Sequence, residues 1–363
     1  MNLLFLILFF LTMSTSWSQE VHFFGSLDYA RTTTKKDVEY NGYENKLGAS
    51  YLSTAGINVS AKVDDRTQAL IQVIHHPLPN KIAIDLIQVQ RTFKDQWKLR
   101  VGQQRLPTFL KSEVIQIKSL YPWTMAPAEV YNQNPLRSFT GASLEKQLGD
   151  FSVQTYFGDV KEQLYQRDSE TTARSKQLMG MRLNYNKDGL ETYFNALKSQ
   201  TDITVSSPVD IAPSVSANAK IKERFKNSES LSTGFGWNNA QWLIMSEFIH
   251  VYSTNAILRS VDGAYASIGR NLNEKFLLLG TFSNEFSRKS NLSPSKTTTY
   301  DLTLQYTINM NTVLKLGARH VNYRRRVVSS NLSPTGQADS GLGFTGAPGN
   351  NFNVFDLQLA FIF

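Results

Sequence analysis

Beyond about residue 19 the chain alternates apolar and polar positions with a period of two, in segments of roughly ten residues. Trp97, Leu99 and Val101 are apolar, with Lys98, Arg100, Gly102 and Gln104 interleaved. Phe151, Val153, Thr155 and Phe157 alternate with Ser152, Gln154, Tyr156 and Gly158. At the end, Phe355, Leu357, Leu359, Phe361 and Phe363 alternate with Asp356, Gln358, Ala360 and Ile362. In a strand, successive side chains face opposite sides, so each segment has one greasy face and one wetter face. The breaks alternate too. Short Asn-, Asp- and Gly-rich turns fall at 64–66, 94–96, 148–150, 187–189, 238–240, 271–273 and 309–311, compositions that suit tight hairpins. Longer polar breaks fall at 32–45, 75–82, 105–139, 159–175, 199–228, 253–256, 284–296 and 322–350. Seven short and eight other connections predict about sixteen strands.

Residues 3–11, LLFLILFFL, are an unbroken apolar run followed by small polar residues. The run is about half the ~20 residues a membrane-spanning helix needs. Ser16 and Ser18 flank Trp17 as small residues at a cleavage site, so 1–18 is expected to be a cleaved signal peptide and 19–363 one mature domain. Hydrophobic residues make up 41% of the 363, too few for a helical membrane bundle. Cysteine is absent, which excludes disulfides, Cys-based zinc sites and thiol catalysis. A net charge of +8 is compatible with nucleic acid, but no basic cluster is denser than Arg324–Arg326, and no nucleic-acid partner is expected.

Aromatic rings sit beside the short turns: Phe93, Trp97, Phe151, Trp237 and Trp242. That is where a membrane interface places them. Strands in hydrocarbon must pair every backbone group, so the predicted fold is all-β: a closed transmembrane antiparallel barrel with short turns on one side and long loops on the other. At sixteen strands the lumen is too wide for side chains to fill, and the polar faces line water. In phase with the alternation, Lys46, Lys62, Lys98, Arg100, Arg182, Lys315 and Arg319 point inward, as do Asp28, Glu145, Glu191, Glu247, Asp301 and Asp356. The break at 105–139 is the longest and carries many apolar residues, among them Leu106, Phe109, Leu110, Ile117 and Trp123. It is expected to fold into the barrel and narrow it. Arg105 and Lys111, with Glu113 and Glu129 facing the cations of the feeding strand, would then form a constriction with a positive excess.

Catalytic chemistry is not evident. The histidines, His22, His75, His76, His250 and His320, are scattered, and the adjacent pair would face opposite ways on a strand. No nucleophile-elbow, zincin, phosphate-loop or dinucleotide motif occurs, so neither enzyme activity, metal nor cofactor is expected.

The terminal segment 354–363, VFDLQLAFIF, resembles the C-terminal signature by which Gram-negative outer-membrane barrels are recognised for insertion. Segment 100–131, RVGQQRLPTFLKSEVIQIKSLYPWTMAPAEVY, resembles the stretch of bacterial porins that leaves a strand and folds inward. No acidic PEFGG-type loop core is present. The resemblance, to sixteen-stranded porins, implies an integral outer-membrane location, short periplasmic turns and extracellular loops. It also implies a homotrimer, contacts with lipid, lipopolysaccharide and the barrel-assembly machinery, and diffusion of small hydrophilic solutes. The expected selectivity is weakly anionic. A substrate-selective channel for an anionic or oligomeric solute, or a barrel-anchored adhesin, are the alternatives.

Overall fold

The computed structural model describes residues 19–34, 39–40, 43, 45–49, 53–76, 81–134, 136–166, 169–212, 215–254, 260–289, 295–325, 344–345 and 351–363. The expected signal peptide lies outside them. Among the described residues no helix is long and apolar enough to cross a membrane; the chain crosses with strands. The first five long strands are β1 (Gln19–Thr32), β2 (Thr54–Asp64), β3 (Thr67–His76), β4 (Lys81–Thr92) and β5 (Trp97–Arg105). After the long loop come β6 (Ser138–Leu148), β7 (Phe151–Gln166), β8 (Ser169–Lys187), β9 (Leu190–Ala212) and β10 (Val215–Asn238). The last six are β11 (Trp242–Ser253), β12 (Ser260–Asn271), β13 (Phe276–Lys289), β14 (Ser295–Asn309), β15 (Thr312–Arg325) and β16 (Asn351–Ile362).

Each strand pairs antiparallel with its sequence neighbours, and the sheet closes on itself. The seam runs from Phe24 opposite Ile362 to Thr32 opposite Val354. Below it, Phe23 and Phe363 exchange both backbone bonds, at 2.8 and 2.7 Å. Closure leaves no unpaired edge, the condition for a sheet surrounded by hydrocarbon. The expected terminal positions Phe355, Leu357, Leu359, Phe361 and Phe363 share the outer face, with Phe363 58% exposed. Phe93, Trp97, Phe151 and Trp242 are also exposed beside the short turns.

The sequence pattern misplaces several boundaries. The breaks expected at 159–175, 199–228 and 284–296 are largely strand: β7 reaches Gln166, the β9–β10 hairpin reaches Ala212 and Val215, and β13 reaches Lys289. A membrane crossing takes about ten residues, and β9 and β10 have 23 and 24. In sequence their outer halves keep the period of two, with Ile203, Val205, Val209 and Ile211 on β9 and Val215, Ala217, Ala219 and Ile221 on β10, so a break drawn on polar content alone cuts the ladder short. Lys46, expected inward on a strand, instead lies exposed in a bend before β2. Most of 322–350, including Arg326, is outside the described residues.

The terminal seam yields a direct prediction. Phe363→Asp sets a carboxylate on the outer face where the last strand locks to the first. The yield of folded barrel on refolding into lipid vesicles, read by gel mobility, is expected to drop well below that of the unmodified chain. Equal yields would contradict a lipid-facing role for this ring.

Candidate pore constriction

Strand β5 ends at Arg105 and β6 starts at Ser138, so the long loop is 106–137. The chain turns inward because the strand pairing cannot continue. Pro107 has no N–H to give, and the neck is closed by the Leu106 N–H donating to the Arg137 carbonyl at 3.0 Å. Inside, the loop makes two 3₁₀ turns, Ser112–Val114 and Lys118–Leu120, and one α-helical turn, Ala128–Tyr131.

The apolar side of the loop takes part in three of the four buried clusters among the described residues. Phe109, Tyr121, Trp123 and Val130 pack on Met245, Ile249, Val251, Val261, Tyr265 and Leu279 of β11–β13. Leu106 and Leu136 pack on Phe139, Tyr156, Val160, Leu178 and Leu197. On the opposite side of the barrel, Ile117 packs on Phe24 of β1 and Ile74 of β3. Leu120, one of the apolar loop residues, is exposed instead.

Buried charged groups of the wall hold the loop backbone. The Lys315 ammonium, with no solvent exposure, donates to the carbonyls of Lys118, Tyr121 and Trp123 at 2.6, 2.7 and 2.9 Å. Arg182 donates to the carbonyls of Pro107 and Phe109 at 2.8 and 2.9 Å. Arg319 pairs with Asp301 and donates to the Met125 carbonyl at 3.3 Å. Gln358 donates to the Thr124 carbonyl at 2.8 Å and to Asp28, which also receives Lys118 at 3.0 Å.

Glu247 is the second clasp. Its carboxylate accepts from the Leu110 N–H at 2.8 Å, Tyr131 at 2.6 Å, Tyr193 at 2.7 Å and Tyr265 at 2.7 Å. Burial and the Glu247 charge push the Tyr131 phenol well above the ordinary tyrosine range, so it remains a donor at any physiological pH. Burial lowers the Lys118 ammonium from its ordinary value, and Asp28 opposes the shift.

These contacts revise the expected site. Arg182, Lys315 and Arg319 do point inward, but they are buried beneath the loop as its anchors and do not line open water. Glu129 does not face the cations of β5: it is 1% exposed and accepts from Ser283 at 2.7 Å and from Thr299 on the far wall. Glu113 is exposed, and Lys111 lies 3.7 Å from Glu191. Lys98 and Arg100 are half-buried on the inner wall and share Glu145, at 3.3 and 3.1 Å. Arg105 is buried against Asp85, with Gln72 accepting a further bond at 2.7 Å. The three cations are therefore largely compensated.

Asp85 was not among the expected inward acids. It is the extra residue of a β-bulge, where Gln72 opposes Leu86 and Val73 opposes Ile84. The carbonyl of the bulged Asp85 receives the Gln103 amide at 2.9 Å. A sequence signal for the bulge exists: the outward apolar phase moves from Ile82 and Ile84 to Ile87 and Val89. The tyrosine donors on Glu247 had no such signal, since an inward Tyr reads like any other lumen residue.

The loop thus touches β1, the Ile74 end of β3, the Phe139 end of β6 and the arc from β7 to β16, and it leaves the rest of the inner wall of β2–β6 the least covered. Lys315→Met would leave three buried carbonyls without a donor, at a cost of roughly 1–3 kcal/mol for each group left unpaired. The thermal unfolding midpoint of the detergent-solubilised barrel, followed by circular dichroism, should fall by several degrees. An unchanged midpoint would show that this ammonium does not hold the loop.

No family model matches the sequence, and no curated protein does. Solved structures of outer-membrane barrels do share the fold. Outer-membrane expressed OmpT of Vibrio cholerae superposes with a TM-score of 0.63 at 9% identity, covering 96% of this chain and 99% of that one. An anion-selective porin from Comamonas acidovorans gives 0.58 at 10% identity, over 95% of this chain and 100% of that one. Salmonella typhi OmpF, in a complex with daunomycin, gives 0.58 at 9% identity, over 95% and 97%. At these identities the likeness is one of architecture.

Proposed function

We propose that the chain is an outer-membrane porin that lets small hydrophilic solutes diffuse through a water-filled channel. The observation that carries this reading is the pairing of a lipid-compatible outer face with a loop folded inside the closed wall. An anchor for surface loops would need no 32-residue loop with an apolar side packed within its own lumen. The shared architecture with solved porins supports the location, and a trimeric form of the Vibrio cholerae OmpT barrel supports a homotrimer. Outer-leaflet lipid and lipopolysaccharide are the partners of the outer face, and the barrel-assembly machinery is the partner of the terminal strand.

The selectivity we propose is weakly anionic. On the least covered part of the wall, Lys98 and Arg100 share the single Glu145 carboxylate, which leaves one positive charge over. Lys62 stands near the mouth, in a recess that also holds Arg66 and the acids Glu20, Asp64 and Asp65, so it adds no net positive charge. A water path between low-dielectric walls concentrates such a potential. It is weak because most cations on this wall already have an acid beside them.

Reversal potentials of channels in planar bilayers test the proposal. At ~0.1 M salt, where the Debye length is ~10 Å, the sign is expected to report anion preference; toward 1 M it should fade as that length shrinks to ~3 Å. Lys98→Glu with Arg100→Glu should invert the sign. A native channel that favours cations at low salt would refute the assignment of these two side chains.

A further inference from the structure

The part of the inner wall that the loop leaves open has a composition of its own. On β3, Gln68, Leu70 and Gln72 face inward in turn, and on β4 they stand opposite Gln90, Gln88 and Leu86. Amide therefore faces amide at the lower step, and at the two steps above each leucine faces a glutamine. The strip is uncharged; at its edges Arg105 pairs with Asp85, Arg100 shares Glu145 with Lys98, and Lys62 stands opposite Gln68.

Several of these amides keep free capacity. The Gln90 carbonyl accepts from Arg100 Nε at 2.9 Å, and no partner is found for its NH₂ among the described residues. Gln88 and Gln68, both partly or fully exposed, have no side-chain partner among the described residues. A carboxamide is planar and offers donors and an acceptor side by side, without charge. Its natural counterpart is a neutral molecule with neighbouring hydroxyls, each of which both donates and accepts. Leu70, partly exposed beside Gln68 and Gln88, matches the C–H face of such a molecule, whereas Leu86 is buried. On the next strand Gly102 stands opposite Gln88, where any Cβ would lie 2.2 Å from the Ile87 carbonyl oxygen, so no side chain rises there.

We infer that this strip is a low-affinity track for neutral, hydroxyl-rich solutes, namely free monosaccharides and short oligosaccharides. Resting on the reading of the barrel as a diffusion channel, it adds the solute class. Hydroxyls of a passing sugar exchange water for the amides of Gln68, Gln88 and Gln90 while its C–H face slides over Leu70. An ion gains nothing from the strip beyond the weak potential at its edge.

Single-channel current in the presence of maltotriose tests this, with a polyethylene glycol of similar hydrodynamic size as control. Maltotriose is expected to reduce the current saturably, and the glycol to reduce it only in proportion to its concentration. Gln88→Leu with Gln90→Leu should raise the half-blocking concentration about tenfold, the loss of roughly two modest hydrogen bonds. Gln88→Asn should keep the block. Maltotriose acting no differently from the glycol, or blocking the double leucine variant as well as the native channel, would overturn the track. A barrel that carries no current at all would instead overturn the channel reading on which it rests.

Discussion

In hydrocarbon a backbone N–H or C=O without a partner costs several kcal/mol, and everything else in this molecule follows from avoiding that cost. The chain meets the constraint by closing its sheet between β1 and β16. Closure with sixteen strands fixes a lumen too wide for wall side chains to fill. The lumen therefore has to be either flooded or occupied. Here it is partly occupied, by a loop whose own backbone must then be satisfied in the barrel interior.

That second requirement explains where the charges are. Buried ions are normally poor sources of stability, because desolvation offsets their attraction. On this wall they serve another purpose. Lys315, Arg182 and Arg319 donate to six loop carbonyls, five of which accept no backbone bond from the loop's own short turns. Glu247 answers with the converse, one carboxylate filled by three phenols and one amide N–H. The barrel is thus divided by task. The arc from β7 round to β1 supplies most of the charge and apolar surface that hold the loop, with Ile74 and Phe139 added at the ends of β3 and β6, and the rest of β2–β6 keeps a polar wall for whatever passes.

Much of this was legible in the alternation. A period of two gave the strands and the phase of each, so Lys98, Arg100, Glu145, Glu247, Lys315 and Asp356 were all assigned to the inner face, where they are found. The apolar content of 105–139 pointed to an inward fold, because a loop in water would not carry Phe109, Ile117 and Trp123. What could not be read was the division of labour. An inward lysine that lines water and one that caps carbonyls have the same neighbours in sequence; only the path of the loop, set by packing between distant strands, separates Lys98 from Lys315. The extended hairpins are hidden for a different reason: their many polar and charged residues read as loop, although Ile203, Val205, Val209 and Ile211 keep the period of two. The bulge at Asp85 was visible only as a shift of phase between Ile84 and Ile87.

The central claim is that the loop narrows the lumen from within, and its excision tests that most directly. The side chains of Thr108 and Asn134 lie 3.1 Å apart, so a short Gly-Ser linker can replace the 25 residues between them. Single-channel conductance of the shortened barrel in a planar bilayer is then compared with that of the full chain, counting only channels that insert. The account predicts a conductance several times larger. A conductance equal to that of the full chain would mean the loop does not define the narrowest part of the path, and would contradict it.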